Sequence, residues 1–156
     1  MINIFLLFSR QGKIRLQKWY SSYTEKEKQQ LSRELIGNIL NRKTRSCNFI
    51  EWKDKKVVWK RYAGLHFCAI TDREDNELLI LEVIHQYVVT LDKYFGNVCE
   101  LDIIFNYEKA YYILDEFLLG GLVQETNKKE ILRIINDHDL INEESQYGFF
   151  DDNGLG

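Results

Sequence analysis

The stretch that decides the fold covers residues 94–121 and reads YFGNVCELDIIFNYEKAYYILDEFLLGG. Its second half places apolar side chains at intervals of three and four residues, which puts them on one face of a helix. These side chains are Tyr107, Ala110, Tyr111, Leu114, Phe117 and Leu118. Asn106 is a suitable N-cap and the pair Gly120-Gly121 a suitable C-cap. The pattern therefore predicts a helix over about 107–119.

The first half of the stretch contains a short connecting segment in front of that helix. Asn97, Val98 and Ile103 combine one polar side chain with two β-branched ones. We interpret this set as a shallow apolar pocket with a polar rim, the usual composition of a small binding site.

Composition limits the class of protein. The chain has 156 residues, of which 45% are hydrophobic, enough for one core and too few for two domains. The net charge of -3 argues against nucleic-acid binding, which needs a cationic surplus. The apolar run in residues 1–8 is too short for a membrane span or a signal peptide. Cys47, Cys68 and Cys99 are odd in number and far apart, so we expect a reducing cytosol and three buried thiols.

The N-terminal half predicts a hairpin, a helix and a meander. Residues 2–8 and 13–19 flank a short turn that contains a glycine, and in the second strand Arg15 alternates with two apolar residues and should point outward to solvent. Thr24 and Glu27 have capping-box spacing before a helix over about 25–41. Three strands are then expected, at 47–52, 55–62 and 65–71.

The C-terminal half predicts helices. Residues 77–95 form a helix with an apolar stripe wide enough to be buried on two sides: Ile80, Val83, Ile84, Tyr87, Val88 and Leu91. Asn127 and Glu130 have the capping spacing that starts a last helix. The acidic tail over 139–156 is expected to be disordered, which leaves one domain over 1–138. The order β-β-α-β-β-β-α-α plus a C-terminal helix predicts an α+β fold with a five-stranded antiparallel sheet.

The sequence contains no recognisable catalytic or metal-binding motif. His66, His85 and His138 lack metal-ligand spacing, and no glycine-rich phosphate loop precedes a helix. Asp115 and Glu116 are adjacent, so on a helix they diverge by about 100° and cannot face each other as an acid and base pair. We therefore expect no catalytic residue, no metal, no cofactor and no enzyme activity.

Two groups of surface residues have two interpretations each. A first group is basic and consists of Arg42, Lys43, Arg45, Lys53, Lys55, Lys56, Lys60 and Arg61. These side chains could bind an anionic membrane, but we favour a solvated edge of the sheet. Trp19, Trp52 and Trp59 are expected in the core or in a subunit interface, with at least one in the interface.

Two blocks of sequence together resemble a known family. The stretch 94–121, combined with LFSRQGK at 7–13 and RLQKWY at 15–20, resembles the small (sigma) chains of heterotetrameric clathrin adaptor complexes. The resemblance extends from residue 1 to about 137 and is closer to the trans-Golgi and endosomal type than to the plasma-membrane type. It implies a longin-like fold.

The resemblance also implies a site and partners. Sigma chains bind acidic dileucine signals, [DE]xxxL[LI], in the cytoplasmic tails of cargo proteins. The matching position for the acidic end is Arg15, and the leucines would lie among Ala63, Leu65, Val88, Asn97, Val98 and Ile103. The implied partners are two large chains and one medium chain, with clathrin and the membrane reached through the complex. The implied location is the cytosolic face of trans-Golgi and endosomal membranes and clathrin-coated vesicles. The alternative is a free longin-type domain that regulates membrane fusion or a GTPase.

Overall fold

A computed structural model describes residues 1–41, 48–119, 122–123 and 139–140. The chain divides into two compact units, Met1–Gln124 and Glu125–Gly156. In the second unit the described residues are Asp139 and Leu140, whose backbone is helical. The predicted helix near Asn127 and the rest of the predicted tail lie outside the described residues, and the predicted domain boundary at 138 stays a prediction.

The centre of the first unit is a five-stranded antiparallel sheet. Its strands are β1 (Ile2–Ser9), β2 (Ile14–Trp19), β3 (Phe49–Trp52), β4 (Lys55–Tyr62) and β5 (Leu65–Asp72). They lie in the order β2-β1-β5-β4-β3, so the N-terminal hairpin is joined to the meander by pairing of β1 with β5. The predicted hairpin, meander and α+β fold class are confirmed.

In the described part of the first unit, four helices accompany the sheet: α1 (Glu25–Leu40), α2 (Glu77–Phe95), α3 (Glu100–Phe105) and α4 (Tyr107–Phe117). At the start of α1 the amide of Glu27 donates to Thr24 Oγ1 at 3.2 Å, and the amide of Thr24 donates back to the Glu27 carboxylate at 3.4 Å. These two bonds satisfy amides that have no partner within the helix. The predicted capping box is confirmed.

Two predictions near the deciding stretch are wrong. The segment between α2 and α4, predicted as a link, contains the helix α3, whose first turn is stabilised by Asp102 accepting a bond of 2.9 Å from the amide of Cys99. Helix α4 ends at Phe117 and not near Gly120, because Leu118 is extended and pairs with Val123 in a small hairpin of β6 (Leu118–Leu119) and β7 (Leu122–Val123). Strand pairing therefore replaces the last two residues of the predicted helix, whose remainder is confirmed.

Apolar layers cover both faces of the sheet. Leu35, Ile36 and Ile39 of α1 pack with one face, in a cluster with Ile4, Leu6, Phe8, Val57, Trp59, Cys68 and Ile70. The alternate residue Phe5 points to the opposite face. There its ring contacts Tyr87 of α2, with ring centres 5.6 Å apart.

The wide stripe on α2 is buried within the chain itself. Tyr87 contacts Phe67 of the sheet on one side and Phe117 of α4 on the other, with ring centres 6.1 and 6.2 Å apart. Burial on two sides is thus confirmed, and both sides are supplied by this chain. The exposed apolar side chains of α2 are Leu78 and Leu79, in its first turn.

Other sequence predictions have mixed outcomes. Cys68 is buried as predicted, but Cys99 is exposed, because it lies in the surface link before α3, and Cys47 is outside the described residues. Trp59 is in the core, while Trp19 and Trp52 are half-buried against the same cluster. Lys53, Lys55 and Lys56 form ion pairs of 2.7, 2.9 and 2.9 Å with Glu34, Asp72 and Glu77, which favours the solvated-edge interpretation. Arg42, Lys43 and Arg45 lie outside the described residues.

Candidate functional site

Arg15 lies at an irregularity of the N-terminal hairpin. Leu7 pairs with Leu16 and Phe8 pairs with Ile14, so Arg15 is the extra residue of a β-bulge. Ile14 packs on the cluster below α1, whereas buried Leu16 does not belong to that cluster. The predicted alternation is therefore wrong at this point, because a bulge shifts the pattern by one residue.

Arg15 is bound to an acidic side chain of the same chain. Its Nε donates to Oε1 of Glu100 at 2.8 Å, across 85 positions of sequence. Both side chains are only partly accessible, with 26% of Arg15 and 33% of Glu100 exposed. The prediction of a freely exposed Arg15 is wrong, since the first turn of α3 covers part of it.

The turn between β4 and β5 presents Ala63 to solvent. Ala63 and Gly64 both have positive φ, at 52° and 78°. Two left-handed residues in a two-residue loop match the twist of the flanking strands. Leu65 follows at the start of β5 and is fully buried. The turn thus exposes one predicted site residue and buries another.

The link from α2 to α3 holds Asn97 and Val98. Gly96 ends α2 in the left-handed conformation, and Asn97 continues it with φ of 68°. The carboxylate of Asp92 then accepts a bond of 3.0 Å from the amide of Val98, which fixes the direction of the link. Asn97 is exposed and Val98 is buried.

Four apolar members of the predicted site are enclosed in this structure. Leu65 of β5, Val88 of α2, Val98 of the link and Ile103 of α3 are each 2% exposed or less. They come from four different elements, as expected for a site made by tertiary packing. Their assignment to leucine binding stays a prediction.

An open cleft of about 570 Å³ lies beside Ala63. It is lined by Arg10, Gln11, Arg61, Tyr62, Ala63, Gly64 and Glu100. Arg10 lies over the turn, since a Cβ added to Gly64 would be 3.5 Å from its Nε. The cleft therefore joins Ala63 to Glu100, the partner of Arg15.

The cleft has an electropositive character. Within the described residues, neither Arg10 nor Arg61 forms an ion pair. His66 of β5 lies opposite Arg61 of β4 in the strand register. Burial, together with the positive charges of Arg61 and Arg10, lowers the pKa of His66. This cleft was not predicted from the sequence, in which its signal is two arginines beside predicted turns.

The two histidines among the described residues make contacts with other side chains of the fold. His66 stacks on Phe8 with ring centres 5.1 Å apart, and His85 lies 2.8 Å from Lys60 Nζ. Among the described residues, no three His, Cys, Asp or Glu side chains are close enough to hold a metal ion. None of the helices in the described part of the chain is long and apolar enough to cross a membrane.

Fold and geometry together define a longin-like α+β domain with a cationic cleft beside an apolar layer. Residues 1–142 match the family model of the clathrin adaptor complex small chain. The chain therefore belongs to the family of clathrin adaptor complex small chains. This membership confirms the predicted family and the prediction that the protein is not an enzyme.

Individual relatives agree with the family model. The chain is 59% identical over 146 residues to the AP-1 complex subunit sigma-1A of Homo sapiens, covering 94% of this chain and 92% of the relative. It is 60% identical over 141 residues to the AP-1 complex subunit sigma-2 of Arabidopsis thaliana, covering 90% and 87%. A chain in a homology model of the full-length AP-3 complex in a stretched open conformation superposes with a TM-score of 0.72 at 28% identity, covering 95% of this chain and 99% of that one.

Proposed function

We propose that this chain is the small subunit of a heterotetrameric clathrin adaptor complex and binds acidic dileucine signals, [DE]xxxL[LI], in cargo tails. Its place would be the cytosolic face of trans-Golgi and endosomal membranes and clathrin-coated vesicles. Family membership and the names of the relatives, which are subunits of AP-1 complexes, support the assembly. The same membership favours this function over a free regulatory longin domain.

A surface of exposed apolar side chains supports assembly with other chains. It is defined by Leu101 and Phe105 of α3 and Tyr107 of α4, which are 59%, 77% and 52% exposed. Large apolar side chains close together on a surface indicate an interaction site. We assign this α3–α4 surface to contact with a partner in the complex, which has two large chains and one medium chain. Clathrin and the membrane would be reached through those chains.

The observation that most directly supports signal binding is the cleft that joins Ala63 to the Arg15–Glu100 pair. Arg10 and Arg61, which form no ion pair within the described residues, suit an acidic side chain. The enclosed Leu65 and Ile103 lie on β5 and α3, which begin beside the cleft. Each signal leucine that becomes buried would gain about 1.5 to 3 kcal/mol, whereas a surface ion pair gains about 0 to 1 kcal/mol. The leucines would therefore decide affinity, and the arginines would tune it.

Binding of leucines would require a rearrangement. Because Leu65, Val88, Val98 and Ile103 are enclosed here, the side chains that cover them must move to admit a ligand. That cost, added to the ordering of an extended peptide, offsets much of the gain from burial. We expect micromolar or weaker affinity, on the order of 10⁻⁶ M or above.

The test uses the assembled complex. The tagged chain is purified from cells, its stoichiometric companions are identified, and the complex is titrated with a fluorescent [DE]xxxL[LI] peptide. We expect two large chains and one medium chain, and saturable binding that a double Leu→Ala peptide loses. Recovery of the chain without such companions would overturn the assembly, and equal binding of both peptides would overturn the signal site.

A further inference from the structure

Glu100 occupies the position that the acidic residue of a signal would be expected to take. It is the first residue of α3, and its carboxylate accepts a hydrogen bond from Arg15 Nε at 2.8 Å. The pair is held by elements distant in sequence, the bulge of β2 and the start of α3. The residue matched to the acidic end of the signal is thus already bound to a carboxylate.

Two cationic side chains, neither of them Arg15, lie in the same cleft as Glu100. Glu100 lines the cleft together with Arg10 and Arg61, and neither of these arginines is in an ion pair within the described residues. A carboxylate that leaves Arg15 can therefore stay in a cationic environment. If Glu100 moved from Arg15 to Arg10 or Arg61, it would remain paired. Arg15 could then form a second ion pair with the incoming acidic residue.

We propose that Glu100 is a specificity-determining residue of the signal site: an internal carboxylate that holds Arg15 until the acidic residue of a signal displaces it toward Arg10 and Arg61. The inference rests on the proposed function. A neutral residue at the acidic position of the peptide cannot displace Glu100, because it offers no charge to replace the one that Arg15 loses. Glu100 thereby lowers the affinity for charged signals and leaves the affinity for neutral ones unchanged.

A different role for Glu100 would be to orient Arg15 for the ligand. The two roles give different results for Glu100→Gln, which keeps an oxygen acceptor for Arg15 Nε and removes the negative charge. If Glu100 competes with the ligand, Glu100→Gln strengthens binding of acidic peptides. If it only orients Arg15, Glu100→Gln leaves binding unchanged and Glu100→Ala weakens it.

The experiment compares complexes that contain wild-type chain, Glu100→Gln or Glu100→Ala, each titrated with dileucine peptides that carry Glu or Gln at the acidic position. We expect both variants to bind the Glu peptide about two- to fivefold more tightly than wild type, the range of a surface ion pair. Binding of the Gln peptide should not change. Glu108→Gln on α4, an exposed residue outside the cleft, is the matched control.

Arg61→Ala gives an independent test in the wild-type background. Without one receiving arginine, Glu100 should leave Arg15 less readily, so affinity for the Glu peptide falls while affinity for the Gln peptide stays the same. Unchanged or weaker binding of the Glu peptide by Glu100→Gln would overturn the inference while leaving the proposed function intact. Failure of the wild-type complex to bind either peptide would overturn both.

Discussion

The hydroxyl of Tyr87 donates a hydrogen bond of 2.8 Å to the backbone carbonyl of Ala110. The two groups belong to α2 and α4, and both are buried. Burial raises the pKa of Tyr87 well above its usual value, so the hydroxyl keeps its proton and remains a donor. This bond fixes α4 against α2, which also bears Val88 of the predicted site.

Tyr87→Phe is expected to destabilise the chain by about 0.5 to 1.5 kcal/mol, because it removes this buried hydrogen bond and keeps the ring contacts. Chemical denaturation of the purified complex, or of the chain alone if it is soluble, measures the change. Tyr23→Phe is the control, since Tyr23 is only partly buried and its hydroxyl has no hydrogen-bond partner within the described residues, so its change should be close to zero. Equal effects of the two variants would contradict the structural role assigned to the Tyr87 hydroxyl.

The turn at Ala63-Gly64 offers a stabilising substitution. Ala63 has φ of 52°, a conformation that costs an ordinary L residue about 1 to 2 kcal/mol and that asparagine tolerates better. Asn-Gly is the preferred pair for such a two-residue turn. We expect Ala63→Asn to raise the free energy of unfolding by several tenths to about 1 kcal/mol. Gly64→Ala, at φ of 78°, should lower it, and the opposite signs make the pair its own control.

Val88→Asp is expected to act on folding before it acts on any ligand. Val88 is 2% exposed, so the new carboxylate would be buried without a partner, which costs about 3 kcal/mol or more. Thermal melting should therefore show a large loss of stability, and lost peptide binding in this variant would not identify a pocket. Asn97→Asp, at an exposed position of the same predicted site, should melt close to wild type. A stable Val88→Asp chain would show that this side chain reaches solvent.

Strong local patterns made much of the fold predictable from sequence. The wide stripe of α2 and the Thr24–Glu27 box each depend on side chains a few residues apart, so their spacing alone indicates a helix. The segment after Cys99 has no Ser or Thr cap, and Asp102 caps it by reaching backward instead, so its sequence indicates a link and not the helix α3. The end of α4 was not predicted, because strand pairing with Val123 replaces the last two residues of the predicted helix.

The candidate site was less predictable, because it depends on register and on distant contacts. Alternation along β2 placed Arg15 in solvent, but a bulge cannot be seen in one strand without its partner. Glu100 is 85 positions from Arg15, and no local spacing connects them. The resemblance to sigma chains supplied the seven site residues; it did not indicate that four of them are enclosed or that Arg15 is already paired.

Asp72 gives a prediction for acid stability. A hydrogen bond from Asn3, followed by one from Lys55, lowers the pKa of Asp72 from 3.8 to about 2. A lowered pKa stabilises the fold above the unfolded value, so this contribution is complete above about pH 4 and is lost as the pH falls toward 2. Between these values the melting temperature of Asp72→Asn should fall less steeply than that of wild type. Parallel curves would show that Asp72 does not couple folding to pH.

Arg15→Ala tests how much the ion pair contributes to signal binding. The variant removes the cation matched to the acidic residue and leaves the Glu100 carboxylate without its partner, so the cleft becomes more negative by one charge. Affinity of the assembled complex for an acidic dileucine peptide should fall about two- to fivefold, since a partly exposed pair is worth about 1 kcal/mol or less. Salt screens such pairs, so the dependence of affinity on ionic strength should also become flatter. Titrations at two salt concentrations measure both effects, with Lys13→Ala in the same hairpin as a control that removes an exposed charge. If both variants change the salt dependence equally, the effect of Arg15 is one of net charge, and the acidic end of the signal binds elsewhere.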